Sequence, residues 1–152
     1  MFVTVHVLAG ALIGPRLRRH PVAAFAAGFA SHLVMDATPH WGIDKHQPGA
    51  EQVFLRAART DGLSGLGALA VAVATAPAGT RVATLAATVG AALPDIDKPC
   101  KHFFGFDPWP AWFTRFHQDI QRESPRRLPV EAVWAGGLGA VGASDRRRPH
   151  RP

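Results

Sequence analysis

The chain has 152 residues, a length typical of one domain. Only 18% of its residues are charged, against about 25% in soluble domains, but the formal net charge is +6. The lone Cys100 excludes an internal disulfide. Because the Arg clusters flank apolar runs, as basic residues do at membrane-helix ends, we expect no nucleic-acid partner.

Five apolar segments follow one another, and Ala dominates several of them, which favours helices. They cover residues 2–14, 21–38, 62–78, 80–96 and 129–143. Arg81 is the only charged residue between Gly62 and Leu93, and helices that are apolar on all sides lie in a deep core or in lipid. The sequence therefore predicts an all-α integral membrane bundle of about five short helices over residues 1–145, followed by a basic tail at 146–152.

The first apolar segment has no basic residues before it, and Arg16, Arg18 and Arg19 follow it. This order is typical of an uncleaved first helix rather than of a signal peptide. We expect a multi-pass protein of the inner membrane, with membrane lipid as a partner. Because the segments are shorter than the usual span of about 20 residues, a soluble helical domain with a basic tail is an alternative.

Antiparallel packing of five helices places an unusual set of polar residues at one end of the bundle. These residues lie at the start of the first helix, the end of the second, the start of the third, the end of the fourth, and the loop and start of the fifth. They are His6, His32, Asp36, His40, Asp61, Asp95, Asp97, His102, His117, Asp119 and Glu131.

Two short motifs in this set could bind a metal. His32 and Asp36 are four residues apart, which makes them neighbours on one face of a helix. Asp95 and Asp97 flank a turn after Pro94, where both carboxylates can face one ion or one water. Histidine and carboxylate are usual ligands for zinc. The alternative for each motif is a solvated helix end or polar turn, and a lone histidine such as His6 is more often a core residue.

The sequence has no nucleophile elbow, P-loop, dinucleotide motif or paired-cysteine zinc spacing. Metal-assisted hydrolysis of a phosphoester is therefore the expected chemistry, because bound Zn²⁺ lowers the pKa of its water to about 7. His117 and Asp97 are the candidate general bases. The alternative is a non-catalytic membrane protein whose polar cluster is structural, or which binds or transports a cation.

These motifs resemble the LexA-regulated, YdjM-like family of bacterial membrane-bound metal-dependent hydrolases, which is distantly similar to zinc-dependent phospholipase C. The resemblance covers most of residues 1–125. It rests on His6, Asp61, the stretch Ser31-His32-Leu33-x2-Asp36-x2-Pro39-His40-Trp41, and Leu93-Pro94-Asp95-Ile96-Asp97.

The resemblance implies a site for a divalent metal, zinc, whose activated water hydrolyses a phosphoester, with phospholipid as one candidate substrate. It assigns metal-site positions to His6, His32, Asp36, Asp95 and Asp97, and more loosely to Asp61 and His40. In the family the second acidic motif is often followed by His, whereas Lys98 stands there in this sequence. One ligand is then missing, or His102 or His117 replaces it.

Overall fold

The computed structural model describes residues 1–44 and 46–147, and this part of the chain is mostly helical. The main helices are α1 (Val3–Arg16), α2 (Pro21–Asp36), α3 (Ala50–Ala74), α4 (Arg81–Ala92), α6 (Ala111–Ile120) and α7 (Leu128–Arg147). Between α4 and α6 the chain forms a 3-10 turn (Leu93–Ile96), the single turn α5 (Asp97–Pro99) and a π-helical turn (Cys100–Phe104). The all-α prediction is confirmed. Of the predicted basic tail, residues 148–152 lie outside the described residues.

The prediction of a membrane-embedded bundle is wrong, and so is the predicted inner-membrane localisation. Within residues 1–44 and 46–147, no helix combines the length and the apolar character that a bilayer span requires. α1, α2 and α4 have 14, 16 and 12 residues, against the roughly 20 that a span needs. α3 has 25 residues, but its first half carries Glu51, Arg56 and Arg59. The short apolar segments of the sequence thus correspond to short helices, or to the second half of the longer helix α3, whose first half is partly polar.

The centre of the fold is α4, which packs between α1 and α2 through small side chains. Ala83, Thr84, Ala87, Thr88 and Ala91 are almost completely buried. The threonine hydroxyls are satisfied within the helix, because Thr84 and Thr88 donate to the carbonyl oxygens four residues earlier, at 3.0 and 2.9 Å. The buried polar atoms therefore cost little, and the helix backbones approach closely.

Two glycines set the contact between α2 and α4. A Cβ on Gly28 of α2 would meet the carbonyl oxygen of Ala87, and a Cβ on Gly90 of α4 would meet the carbonyl oxygen of Phe25. Both obstacles are backbone atoms, which cannot rotate away. The absence of a side chain at these positions therefore sets how closely α2 and α4 approach each other there.

The start of α1 meets the ends of α2 and α4. The carboxylate of Asp61, on α3, accepts from the backbone N–H groups of Val3 and Thr4 at 2.6 and 3.1 Å, and from the Thr4 hydroxyl at 2.7 Å. It thus satisfies N–H groups that a helix start leaves free. α2 ends at Asp36, three residues before Pro39, as expected because a proline disfavours helical geometry in the residue before it.

Two three-residue strands close this end of the bundle. β1 (Pro39–Trp41) and β2 (Arg122–Ser124) pair in parallel, with His40 opposite Glu123. The buried Glu131 of α7 accepts from the backbone N–H groups of Trp41 and Phe2, at 3.1 and 3.2 Å. α7 is thereby attached to both β1 and the start of α1.

Candidate metal centre

Four buried side chains converge where α2, α4 and α6 meet. α2 supplies His32 and Asp36, the turn after α4 supplies Asp95, and α6 supplies His117. One ligand atom from each lies within 4.8 Å of all the others. The exposed fractions of the residues are 0%, 0%, 8% and 4% in the same order. This group could hold a metal ion.

Three of the four ligand atoms form a tight triangle. His32 Nε2 lies 3.1 Å from His117 Nε2 and 3.1 Å from Asp36 Oδ2, and His117 Nε2 lies 3.0 Å from the same oxygen. Ligands about 2.0–2.1 Å from a tetrahedral zinc are roughly 3.3 Å apart. Asp95 Oδ1 is more distant, at 3.7 Å from His32 Nε2 and 3.9 Å from His117 Nε2.

The protonation of His32 explains why this triangle suits a cation. His32 Nδ1 lies 2.7 Å from the carbonyl oxygen of Ala91, which can only accept, so Nδ1 carries a proton. In the neutral ring, Nε2 then presents a lone pair to a carboxylate oxygen and to a second imidazole nitrogen. One proton on His117 cannot satisfy both neighbours. A metal ion would satisfy all three atoms, and a backbone carbonyl that orients a ligating histidine is a usual feature of metal sites.

The carboxylates of the group are ionised. Burial raises the pKa of Asp36, but its close contacts with His117, His32 and His6 outweigh burial and hold the pKa well below its usual range. Burial likewise opposes ionisation of Asp95, and the Lys98 ammonium, with His32, holds its pKa low. Two anionic carboxylates in a buried place require compensating positive charge.

Lys98 supplies part of that charge. Its Nζ donates to Asp95 Oδ1 at 2.6 Å, and 33% of its side chain remains exposed. Burial lowers the pKa of Lys98, but Asp95 more than offsets that and raises it above the ordinary value, so the ammonium stays charged. The Lys98 ammonium is therefore bonded to the same Asp95 oxygen that faces the two histidines.

His6 and His40 lie on the other side of Asp36. His6 Nε2 is 3.2 Å and His40 Nε2 is 3.9 Å from Asp36 Oδ1, and both residues are completely buried. His6 stacks on His32 with ring centroids 3.8 Å apart. Burial lowers the pKa of His6 to about 4, so its ring is neutral at pH 7.

Two predicted ligands have other partners. Asp97 Oδ2 accepts from Lys101 Nζ at 2.9 Å, and Asp97 is not one of the four converging residues. Both oxygens of Asp61 cap the start of α1. His117, expected as a general base or a replacement ligand, contributes its Nε2 to the triangle. His102, the other replacement, is exposed on the π-helical turn.

Sequence reasoning missed three further groups that touch the site. Gln121 Nε2 donates to Asp36 Oδ2 at 3.1 Å, and its position four residues after His117 could have indicated this. The α-amino group of Met1 donates to Asp36 Oδ1 at 3.1 Å. Glu123 Oε1 lies 3.9 Å from His40 Nε2, a contact that depends on strand pairing across more than 80 residues and has no local signal.

The chain was compared with protein-family models, curated proteins and solved structures, and none of the three comparisons returned a match. The resemblance to the YdjM-like hydrolases therefore stays a prediction. The functional conclusion depends on the geometry of the site.

Proposed function

We propose that this protein is a metal-dependent hydrolase that acts on a phosphoester. The observation that carries the proposal is the triangle of His32 Nε2, His117 Nε2 and Asp36 Oδ2, whose sides are 3.0–3.1 Å. Two imidazoles and one carboxylate are a frequent protein ligand set of catalytic zinc sites, in which the fourth position is left for water or substrate. We therefore propose Zn²⁺ as the metal.

A divalent ion held by these three residues would lower the pKa of water and polarise a phosphoester oxygen. Asp95 stands 3.7–3.9 Å from the two imidazole nitrogens, further than the members of the triangle are from each other. We assign it the role of accepting a hydrogen bond from the attacking water. This role differs from the expectation that His117 or Asp97 is the base, because His117 is used as a ligand and Asp97 is paired with Lys101.

Lys98 supports an anionic substrate. Its ammonium is fixed to Asp95 at the edge of the group, and a third of the side chain is exposed. A positive charge held beside a reacting group stabilises the charge that develops on phosphoryl oxygens. Lys98 stands where the resembling family often has a histidine ligand. We assign Lys98 the role of binding the substrate phosphoryl group.

The experiment is hydrolysis of bis(4-nitrophenyl) phosphate by protein depleted of metal and then reloaded with Zn²⁺. We expect turnover that requires metal and that falls at least about 100-fold in His117→Ala and Asp36→Asn. His20→Ala is the control, because His20 is exposed and precedes the opposite end of α2 from Asp36. Equal turnover without metal, or in the two ligand variants, would contradict the assignment.

A second candidate function is cation binding without catalysis. It is favoured by the deep burial of all four ligand residues, none of them more than 8% exposed, because structural zinc sites use four protein ligands. Stoichiometric metal, lost in His117→Ala, without turnover of any phosphomonoester or phosphodiester would select this function over hydrolysis.

A further inference from the structure

The carboxylate of Asp36 has two faces, and the proposed metal occupies only one. Oδ2 faces His32 and His117, whereas Oδ1 faces His6 and His40. Both of the latter residues are completely buried. The second face therefore contains another pair of imidazoles around a carboxylate oxygen, in a place that water reaches poorly.

His40 is oriented as a ligand. Its Nδ1 lies 2.8 Å from the carbonyl oxygen of Thr38, so Nδ1 carries a proton and Nε2 of the neutral ring has a lone pair. Nε2 is buried and has no hydrogen-bond partner. It lies 3.9 Å from Asp36 Oδ1 and 3.9 Å from Glu123 Oε1. At 3.9 Å neither oxygen is within hydrogen-bond distance of Nε2, and a cation among the three atoms would satisfy all of them.

His6 shows the same deficiency. Neither of its ring nitrogens has a hydrogen-bond partner, although Nε2 is only 3.2 Å from Asp36 Oδ1. Buried polar side-chain atoms in native proteins nearly always have a partner, so an exception requires an explanation such as an ion. The Nε2 atoms of His6 and His40 lie near the same oxygen, Asp36 Oδ1, and both lack a hydrogen-bond partner. One cation bound at this oxygen would explain both.

The short parallel sheet accounts for the position of Glu123. Strand pairing places Glu123 of β2 directly opposite His40 of β1, and the Glu123 side chain is 30% exposed. Glu123 also lines an open cavity of about 350 Å³, together with Asp44 and His46. The second face of Asp36 thus has an acidic residue between its buried histidines and solvent.

We propose that His6, His40, Glu123 and Oδ1 of Asp36 bind a second divalent cation, so that Asp36 bridges two ions. This inference rests on the proposed function, because it shares Asp36 with the first site. The Met1 ammonium now donates to the same oxygen, and the cation replaces that contact. Two ions bridged by one group suit phosphoester hydrolysis, in which one ion assists the attacking oxygen and the other the leaving oxygen.

The test is the number of zinc ions per chain, measured by elemental analysis after metal-free protein is equilibrated with Zn²⁺ and desalted. We expect two ions in the wild type and one in both Glu123→Gln and His40→Gln. His117→Ala, which removes a ligand of the first site only, is also expected to retain one. His20→Ala is the matched control and should retain two. Circular dichroism establishes that each variant is folded, and Glu123→Gln preserves the size of a half-buried side chain.

The outcomes separate this inference from the proposed function. One ion in the wild type, lost in His117→Ala but kept in Glu123→Gln, overturns the second site and leaves the first intact. Two ions in wild type, Glu123→Gln and His40→Gln alike also overturn it. No ion in the wild type overturns both sites. Replacing zinc by Co²⁺ gives a second readout, because loss of one of two sites should lower the intensity of the cobalt absorption to about half.

Discussion

Adding one methyl group at two different glycines should change the stability of this fold in opposite directions. Gly28→Ala places a Cβ against the carbonyl oxygen of Ala87, at the contact between α2 and α4. Gly67→Ala places the same group on α3, where nothing lies within 4 Å. Both glycines are inside helices, so the gain in helix propensity is the same and the packing term alone differs.

The magnitudes follow from two opposing effects. Gly→Ala inside a helix stabilises by about 0.5–1 kcal/mol. Overpacking a close contact costs about 1–3 kcal/mol, and at Gly28 the obstacle is backbone that cannot rotate away. We expect the free energy of unfolding to fall by about 1–2 kcal/mol in Gly28→Ala and to rise by about 0.5–1 kcal/mol in Gly67→Ala.

The assay is urea unfolding of the metal-free protein, followed by circular dichroism, with the transition midpoints compared at constant slope. Gly28 is also one helical turn before His32, so Gly28→Ala should weaken zinc binding by moving α2 away from α4. A Gly28→Ala variant that is as stable as the wild type, or both variants shifting in the same direction, would refute the packing of α4 against α2.

Three further changes test individual residues. Lys98→Met removes the ammonium that lies 2.6 Å from Asp95 Oδ1. Because a positive charge beside the site then no longer repels the cation, zinc affinity by titration calorimetry should rise about tenfold, roughly 1.4 kcal/mol. Unchanged affinity would contradict this. Asp61→Ala should lower the free energy of unfolding by about 1–2 kcal/mol, because it removes the cap of α1. The number of zinc ions per chain should stay unchanged. Loss of zinc would instead show that Asp61 is a ligand. The pKa of His6 is lowered from 6.5 to about 4, so the stability it contributes is present above pH 6.5 and is lost as the pH falls towards 4. This loss is about 3 kcal/mol in metal-free protein, and His6→Gln should remove it in urea titrations at several pH values, whereas the exposed His46→Gln should not.

The helices of this protein were predictable from sequence because their signals are local. Runs of Ala, Val and Leu indicated α1, α2, α4 and α7. Their environment was not predictable in the same way. Apart from Arg81, the stretch from Gly62 to Leu93 has no charged residue, which is typical of lipid-facing helices. In the fold its small side chains on α4 pack closely, whereas large apolar side chains such as Leu63 are exposed.

The site was predictable where the spacing is helical and unpredictable where it depends on tertiary contacts. His32 and Asp36 are one turn apart on α2, so their proximity follows from helix geometry. Asp61 was expected at the site because it precedes an apolar run, but its carboxylate caps another helix. Glu123 reaches His40 only through the pairing of two three-residue strands, which no local pattern indicates.

The most direct test of the central claim is titration of metal-free protein with Zn²⁺, in the wild type, His117→Ala and His20→Ala. The account predicts that the wild type and His20→Ala bind zinc with equal affinity and that bound metal raises their thermal midpoint, as any ligand of the native state does. It predicts that His117→Ala, still folded by circular dichroism, loses the site formed with His32, Asp36 and Asp95. A folded His117→Ala that binds zinc as tightly as the wild type, and in the same amount, would contradict the claim.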